Sequence, residues 1–266
     1  VLAQLGGYSN DALSEVFDRW NRGRLQSFLV EITSKIFRQE DPFGEGQLID
    51  FILDKAKQKG TGKWTSQNGM DLGIPVPTID IAVTMRAISA LKEKRMEAEK
   101  RYTRPEPVPV EPGELEILCE QALYFAFITA YAQGLHQLSE ASREYGYDLN
   151  LGTVARIWRA GCIIRAAALN DISRAFDAED DLENLLLSAR FTADIDACVP
   201  AVRKLLGIAI SSGVPMPATV NSLSYFDSFT TGRLPLNLIQ AQRDYFGSHT
   251  YPRTYRECTF NTECPE

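Results

Sequence analysis

ELEILCEQALYFAFITAYAQGLHQLSEASRE, residues 114–144, is the stretch on which the fold turns. Leu115, Leu118, Leu123, Phe127, Ile128, Tyr131, Leu135 and Leu138 recur in it at helical spacing. A rise of 1.5 Å per residue makes this a helix about 45 Å long, enough to run through the middle of an all-helical body. Tyr145-Gly146-Tyr147 ends it.

Working outward, the rest of the chain repeats the same signals. Ser9, Asn10 and Asp11 form an N-cap cluster ahead of Leu13, Val16, Phe17 and Trp20. A second stripe holds Leu25, Phe28, Leu29, Ile32, Ile36 and Phe37, and Leu48 to Leu53 start a short helix. Gly73, Pro75 and Pro77 mark an extended or capping segment. One long helix is expected from Thr78 to about Arg101, and the alternating prolines of residues 104–112 read as a polyproline II linker. Further helices are expected from about Leu151, Leu169, Phe191, Ala218 and Asn237, with Gly247 capping the last and an irregular tail over residues 248–266. No alternation marks a strand of any length. The predicted class is all-α.

The 266 residues carry 28 basic and 35 acidic side chains, a net charge of −7, which argues against general nucleic-acid binding but not against a small anionic ligand. Cys119, Cys162, Cys198, Cys258 and Cys264 contain no CxxC pair and read as reduced thiols. That points to a reducing compartment, the cytoplasm or an organelle. With only His136 and His249 in the chain, no metal site is expected. No apolar run reaches a membrane span of about 18 residues, so no membrane partner is expected.

Leu13, Val16, Trp20 and Gly23 match Leu151, Val154, Trp158 and Gly161 at an offset of 138. Phe37 matches Phe176 at 139, and Gly73, Pro75 and Pro77 match Gly213, Pro215 and Pro217 at 140. The order and slow drift of these matches predict a duplicated multi-helix unit, with copies at about residues 1–103 and 113–247. The second copy is preceded by the long helix, and only seven residues could represent its counterpart before the first. The expectation is a natural protein that continues upstream.

Residues 54–64, DKAKQKGTGKW, reverse the sign of an acidic chain. Lys55, Lys57, Lys59 and Lys63 surround Gly60, Thr61 and Gly62. Lysines, a hydroxyl and free backbone N–H groups suit a phosphate dianion, although Trp64 after Lys63 excludes a Walker A loop. The same composition also suits a solvated basic turn.

QKGTGKW at residues 58–64, the helix carrying Arg86, and LIQAQRDYFGSHTY at residues 238–251 together resemble the 6-phosphogluconate dehydrogenase family. The resemblance covers essentially the whole chain and corresponds to that family's all-helical C-terminal domain over residues 1–247. The family's Rossmann domain, with its G-x-G-x-x-G, is absent from this sequence, as are its catalytic lysine and protonating acid. The resemblance implies oxidative decarboxylation of 6-phosphogluconate to ribulose 5-phosphate with NADP as cofactor. It assigns Lys59, Thr61 and Arg86 to the substrate phosphate. It assigns Arg243 and His249 to the site of the other subunit of a homodimer. It assigns no catalytic residue to this chain. A non-catalytic helical module that dimerises and binds phosphorylated ligands is the alternative. Pro252 and Cys264 depart from the family's tail pattern.

Overall fold

A computed structural model of the chain describes residues 1–262, so Cys264 and most of the NTECPE ending lie outside the described residues. The chain forms two compact units, Val1–Tyr225 and Phe226–Glu266. The class is all-α, with one two-stranded sheet among the described residues.

The first unit contains α1 (Leu2–Gly6), α2 (Asn10–Trp20), α3 (Phe28–Phe37), α4 (Thr61–Leu72), α5 (Pro77–Ser89) and α6 (Lys92–Glu99). It continues with α7 (Pro112–Tyr145), α8 (Leu151–Trp158), α9 (Ala168–Ala178) and α10 (Ala189–Ser211), and with α11 (Pro217–Phe229) as far as Tyr225. Residues 114–144 do form the central helix. α7 packs against α1, α4, α5, α8 and α10. Leu115, Phe125, Ile128, Ala132 and Leu135 on it are fully buried. Each large apolar side chain so buried contributes roughly 1.5–3 kcal/mol relative to exposure.

Two buried amides on α7 fix its neighbours. Gln133 accepts from the Thr78 N–H (3.0 Å) and donates to Thr78 Oγ1 (2.9 Å), which meets Ser222 Oγ at 3.0 Å. It thereby caps the first turn of α5, where Pro77 provides no N–H. One turn further on, Gln137 donates to the Thr65 carbonyl and to Asn68 Oδ1 of α4, both at 2.9 Å.

α7 is also the one described helix long and apolar enough to cross a bilayer, contrary to the expectation that no run would reach that length. The reason is its burial: 56% of that apolar window is covered within the protein, so its composition is that of a core.

Other expectations are corrected. The helix from Thr78 breaks at Ala90 and Leu91, giving α5 and α6; Arg95 of α6 reaches back to the Ser89 carbonyl (3.1 Å) and folds α6 onto that end. Residues 61–64, read as part of the basic stretch, instead begin a helix that runs to Leu72. Leu48–Phe51 is a 3-10 turn. The Nδ1 of His136 on α7 is buried without a partner among the described residues.

α2 with α3, and α8 with α9, form two packed pairs. They are joined by an antiparallel bridge, Ser27 to Ala166, through Phe28 N to Arg165 O (3.0 Å) and Ala167 N to Gln26 O (2.9 Å).

The second unit holds α12 (Asn237–Gly247) and a hairpin of β1 (Tyr251–Arg253) and β2 (Arg256–Phe260). The tail is therefore not irregular. The Arg253 guanidinium lies 4.3 Å above the Phe260 ring, which covers one face of the hairpin. Ser248, with φ 50°, rather than Gly247, takes the left-handed cap of α12.

Candidate functional site

The basic stretch is a tethered loop leading into a helix. Asp54 receives Lys92 Nζ at 2.8 Å and Arg95 Nη2 at 3.0 Å, and Lys55 pairs with Glu93 at 3.1 Å. These donors hold the Asp54 carboxyl down to about 2, the Lys92 and Arg95 hydrogen bonds being the largest causes. Ala56 N donates to Ser89 Oγ (2.9 Å), and Ser89 Oγ donates to the Arg86 carbonyl (2.7 Å). The loop is thus fastened to the turn of α5 that carries Arg86.

Gly60, with φ 110°, turns the chain into α4, whose N-terminus has no side-chain cap. Only glycine adopts that conformation without strain. The Trp64 N–H closes the first turn on the Gly60 carbonyl at 2.9 Å. Thr61, Gly62 and Lys63 are the first residues of the helix, where N–H groups lack intrahelical acceptors. Gly62 is fixed by packing: a Cβ there would lie 2.9 Å from Val83 Cγ2 of α5.

Lys57, Lys59, Lys63 and Arg86 form no ion pair among the described residues, in contrast to Lys55, Lys92 and Arg95. Lys59, Thr61 and Arg86 are exposed. The loop therefore spends its acidic partners on the anchoring cations and leaves the others free for an anion.

Thr61 also lines a cavity of about 730 Å³ walled by Trp64 and Asn68 of α4, Phe127 and Tyr131 of α7, and Trp158. Lys59 and Arg86 are not among its lining residues. Trp64 is 64% exposed and forms part of this wall. Burial raises the Tyr131 hydroxyl pKa, and that hydroxyl donates to the Ile164 carbonyl at 2.5 Å.

In the second unit, Asp244 is buried and organises the segment around His249. It accepts from the N–H groups of Thr262 (2.5 Å) and Thr250 (2.8 Å), and these hydrogen bonds, Thr262's first, lower its pKa. Ser248 and Thr250 are both left-handed, with φ 50° and 57°, so the chain reverses on either side of His249. His249 is exposed, its ring 6.1 Å from that of Phe246. Arg243 is exposed on α12 and donates only weakly to Gln240 Oε1, at 3.4 Å. Sequence reasoning missed the roles of Asp54, Ser89 and Asp244, because each acts through contacts that no local pattern announces.

No group of His, Cys, Asp and Glu suited to a metal ion exists among the described residues. Cys119, Cys162, Cys198 and Cys258 are free thiols, and burial pushes the Cys119 thiol up to about 11.

The family model for the 6-phosphogluconate dehydrogenase C-terminal domain matches residues 1–264. The chain belongs to that family. It is 48% identical over 265 residues to the NADP(+)-dependent, decarboxylating 6-phosphogluconate dehydrogenase of Bacillus subtilis, covering 99% of this chain and 56% of that protein. A chloroplastic family member from Arabidopsis thaliana is 46% identical over 271 residues, with the same shares covered. Among solved structures, the Plasmodium falciparum 6-phosphogluconate dehydrogenase superposes with a TM-score of 0.95 at 44% identity, covering 98% of this chain and 56% of that one. That structure is described in apo form and in complexes with its cofactor NADP+ and its substrate 6-phosphogluconate. The chain thus spans about half the length of the relatives it matches.

Proposed function

We propose that this chain is the phosphate-gripping and dimerising part of an enzyme that oxidatively decarboxylates 6-phosphogluconate to ribulose 5-phosphate and reduces NADP. Lys59 supplies a point charge to the 6-phosphate, Thr61 a hydroxyl donor and Arg86 a two-pronged guanidinium. The observation that carries this is the Ala56–Ser89–Arg86 tether, which fastens the unpaired lysines of the loop to the helix end bearing the unpaired arginine. Arg243 and His249 reach the site of a second copy in a homodimer, with Asp244 holding the histidine's loop. The relatives' names, one of them specifying NADP(+), support the reaction.

The described residues do not fit NADP. Their single sheet is a two-stranded hairpin, and no G-x-G-x-x-G opens a helix, so the crevice that takes a dinucleotide is lacking. No step through the cofactor is derived from this chain. Its own residues orient the substrate by its phosphate and leave the reacting carbons to groups elsewhere in the enzyme.

The matched offsets support a duplicated unit. Gly73 (φ 70°) and Gly213 (φ 65°) end α4 and α10 alike, with the following N–H reaching back to Gly69 O and Ala209 O, each at 2.8 Å. A reducing, soluble compartment suits the free thiols, and chloroplastic relatives extend the range to organelles.

The test is titration of the chain with 6-phosphogluconate. Arg86→Ala and Lys59→Ala should each weaken binding by about tenfold or more, the worth of a charge-assisted hydrogen bond. Unchanged affinity in both would sink the assignment.

A further inference from the structure

A second cavity, of about 600 Å³, opens beside the Ser27–Ala166 bridge and is lined by Arg156, Arg159, Arg165, Asn21, Gln26 and Glu31, among others. None of these residues belongs to the phosphate grip. The lining is built from pairs at the repeat spacing: Asn21 and Arg159 stand 138 apart, while Gln26 and Arg165, like Glu31 and Asn170, stand 139 apart. The cavity therefore sits where equivalent positions of the two copies face each other. The copies have diverged, so one half carries arginines where the other carries amides.

The arginines are held in different ways. Arg156 is neutralised by Asp177 (2.6 Å) and held further by Ser173 (2.9 Å) and Thr153 (2.8 Å). Arg159 donates to Asn170 Oδ1 (2.8 Å) and weakly to the Arg156 carbonyl (3.4 Å), both neutral acceptors. Arg165 lies 3.7 Å above the Phe28 ring and donates to the Cys162 carbonyl at 3.4 Å. Neither Arg159 nor Arg165 forms an ion pair among the described residues. Arg159 is oriented without a carboxylate partner, and Arg165 forms no ion pair although it feels the charge of Glu31, whose main partner is Lys35; both forks stay open to an incoming anion with paired oxygens. On the opposite half, Asn21 Oδ1 accepts from Ser27 N (3.0 Å), and Glu31 is paired to Lys35 at 2.5 Å. That half offers amide groups to hydroxyls, and its carboxylate repels a second anionic group.

We infer that this cavity is a second ligand site for a phosphate monoester of a small neutral polyol, its phosphate on Arg159 and Arg165 and its hydroxyls toward Asn21 and Gln26. The site is separate from the one under Lys59, Thr61 and Arg86 and does not depend on that assignment.

The test uses the isotopically labelled 266-residue chain, titrated with glycerol 3-phosphate and followed by NMR, with glycerol as control. Saturable shifts are expected at the Phe28 and Ala167 amides and at Arg159 Nε–H, and none with glycerol. Arg159→Gln should weaken them by at least about tenfold. Arg165→Lys keeps the charge but loses the fork and the stacking on Phe28, and should weaken them as well. The double variant Lys59→Ala, Arg86→Ala should leave them unchanged. Shifts confined to residues 59–64, or unaltered in Arg159→Gln, would overturn the inference, as would equal response to glycerol.

Discussion

Replacing Gln133 by Leu keeps the volume of a fully buried side chain and removes its hydrogen bonds. Two bonds are lost, to Thr78 N and Thr78 Oγ1. Thr78 Oγ1 keeps Ser222 Oγ, but the Thr78 N–H, in the first turn of α5 and buried, is left bare. A neutral hydrogen bond contributes about 1 kcal/mol and a stranded buried donor costs about 1–3 kcal/mol. Allowing for the apolar gain of leucine, the expected loss is about 2–3 kcal/mol. For a chain of this size that lowers Tm by roughly 5–10 °C. Urea unfolding with an unchanged m-value is the assay. A cycle with Thr78→Val should show coupling of about 1 kcal/mol, because both residues belong to one network. A loss below about 0.5 kcal/mol would refute the view that Gln133 caps α5, and additivity of the two changes would remove the Thr78 hydroxyl from the network.

Three other outcomes are expected. The depressed Asp54 carboxyl stabilises the loop above its ordinary pKa of 3.8, and that stabilisation disappears as pH falls through about 2; NMR titration should find the midpoint there in the native chain and no loop-specific transition in Asp54→Asn. Gly247→Ala places a Cβ 2.8 Å from the His249 ring and should displace that ring, seen as changed His249 chemical shifts with little change in helix content. Arg243→Ala, in an enzyme that contains this chain and turns over 6-phosphogluconate, should raise KM about tenfold or more; an unchanged KM would remove the second unit from the substrate site.

Much of the fold was legible because most helices bury a continuous stripe. α7 begins and ends within two residues of the limits 114 and 144 read from its apolar stripe, and α2, α8 and α10 start near their caps. α4 was not legible. Its sequence, TGKWTSQNGMDL, has few apolar side chains, and Trp64 and Met70 among them are exposed. It is helical because Gly62 and Gly69 let it approach Val83 and Val76, and because Gln137 grips the Thr65 carbonyl. The hairpin was hidden by Pro252 and by strands too short to show an alternating pattern, whose strand character comes from pairing across the turn. In the candidate site, the cations stood out by charge. Which of them are spent on anchoring and which are free depends on Asp54 and Glu93, and that division exists only in three dimensions.

The Ser27–Ala166 bridge also bears on the order in which the chain folds. It closes a loop of 139 residues, whose length-dependent entropy alone costs about 4 kcal/mol. The α2–α3 and α8–α9 pairs need only short connections and form from local contacts. Each pair is therefore expected to assemble before the bridge joins them. In pulsed hydrogen exchange during refolding, the amides of Phe28 and Ala167 would gain protection after those of the α2–α3 and α8–α9 helices. Nearly simultaneous protection would mean that the two halves recognise each other before either is complete.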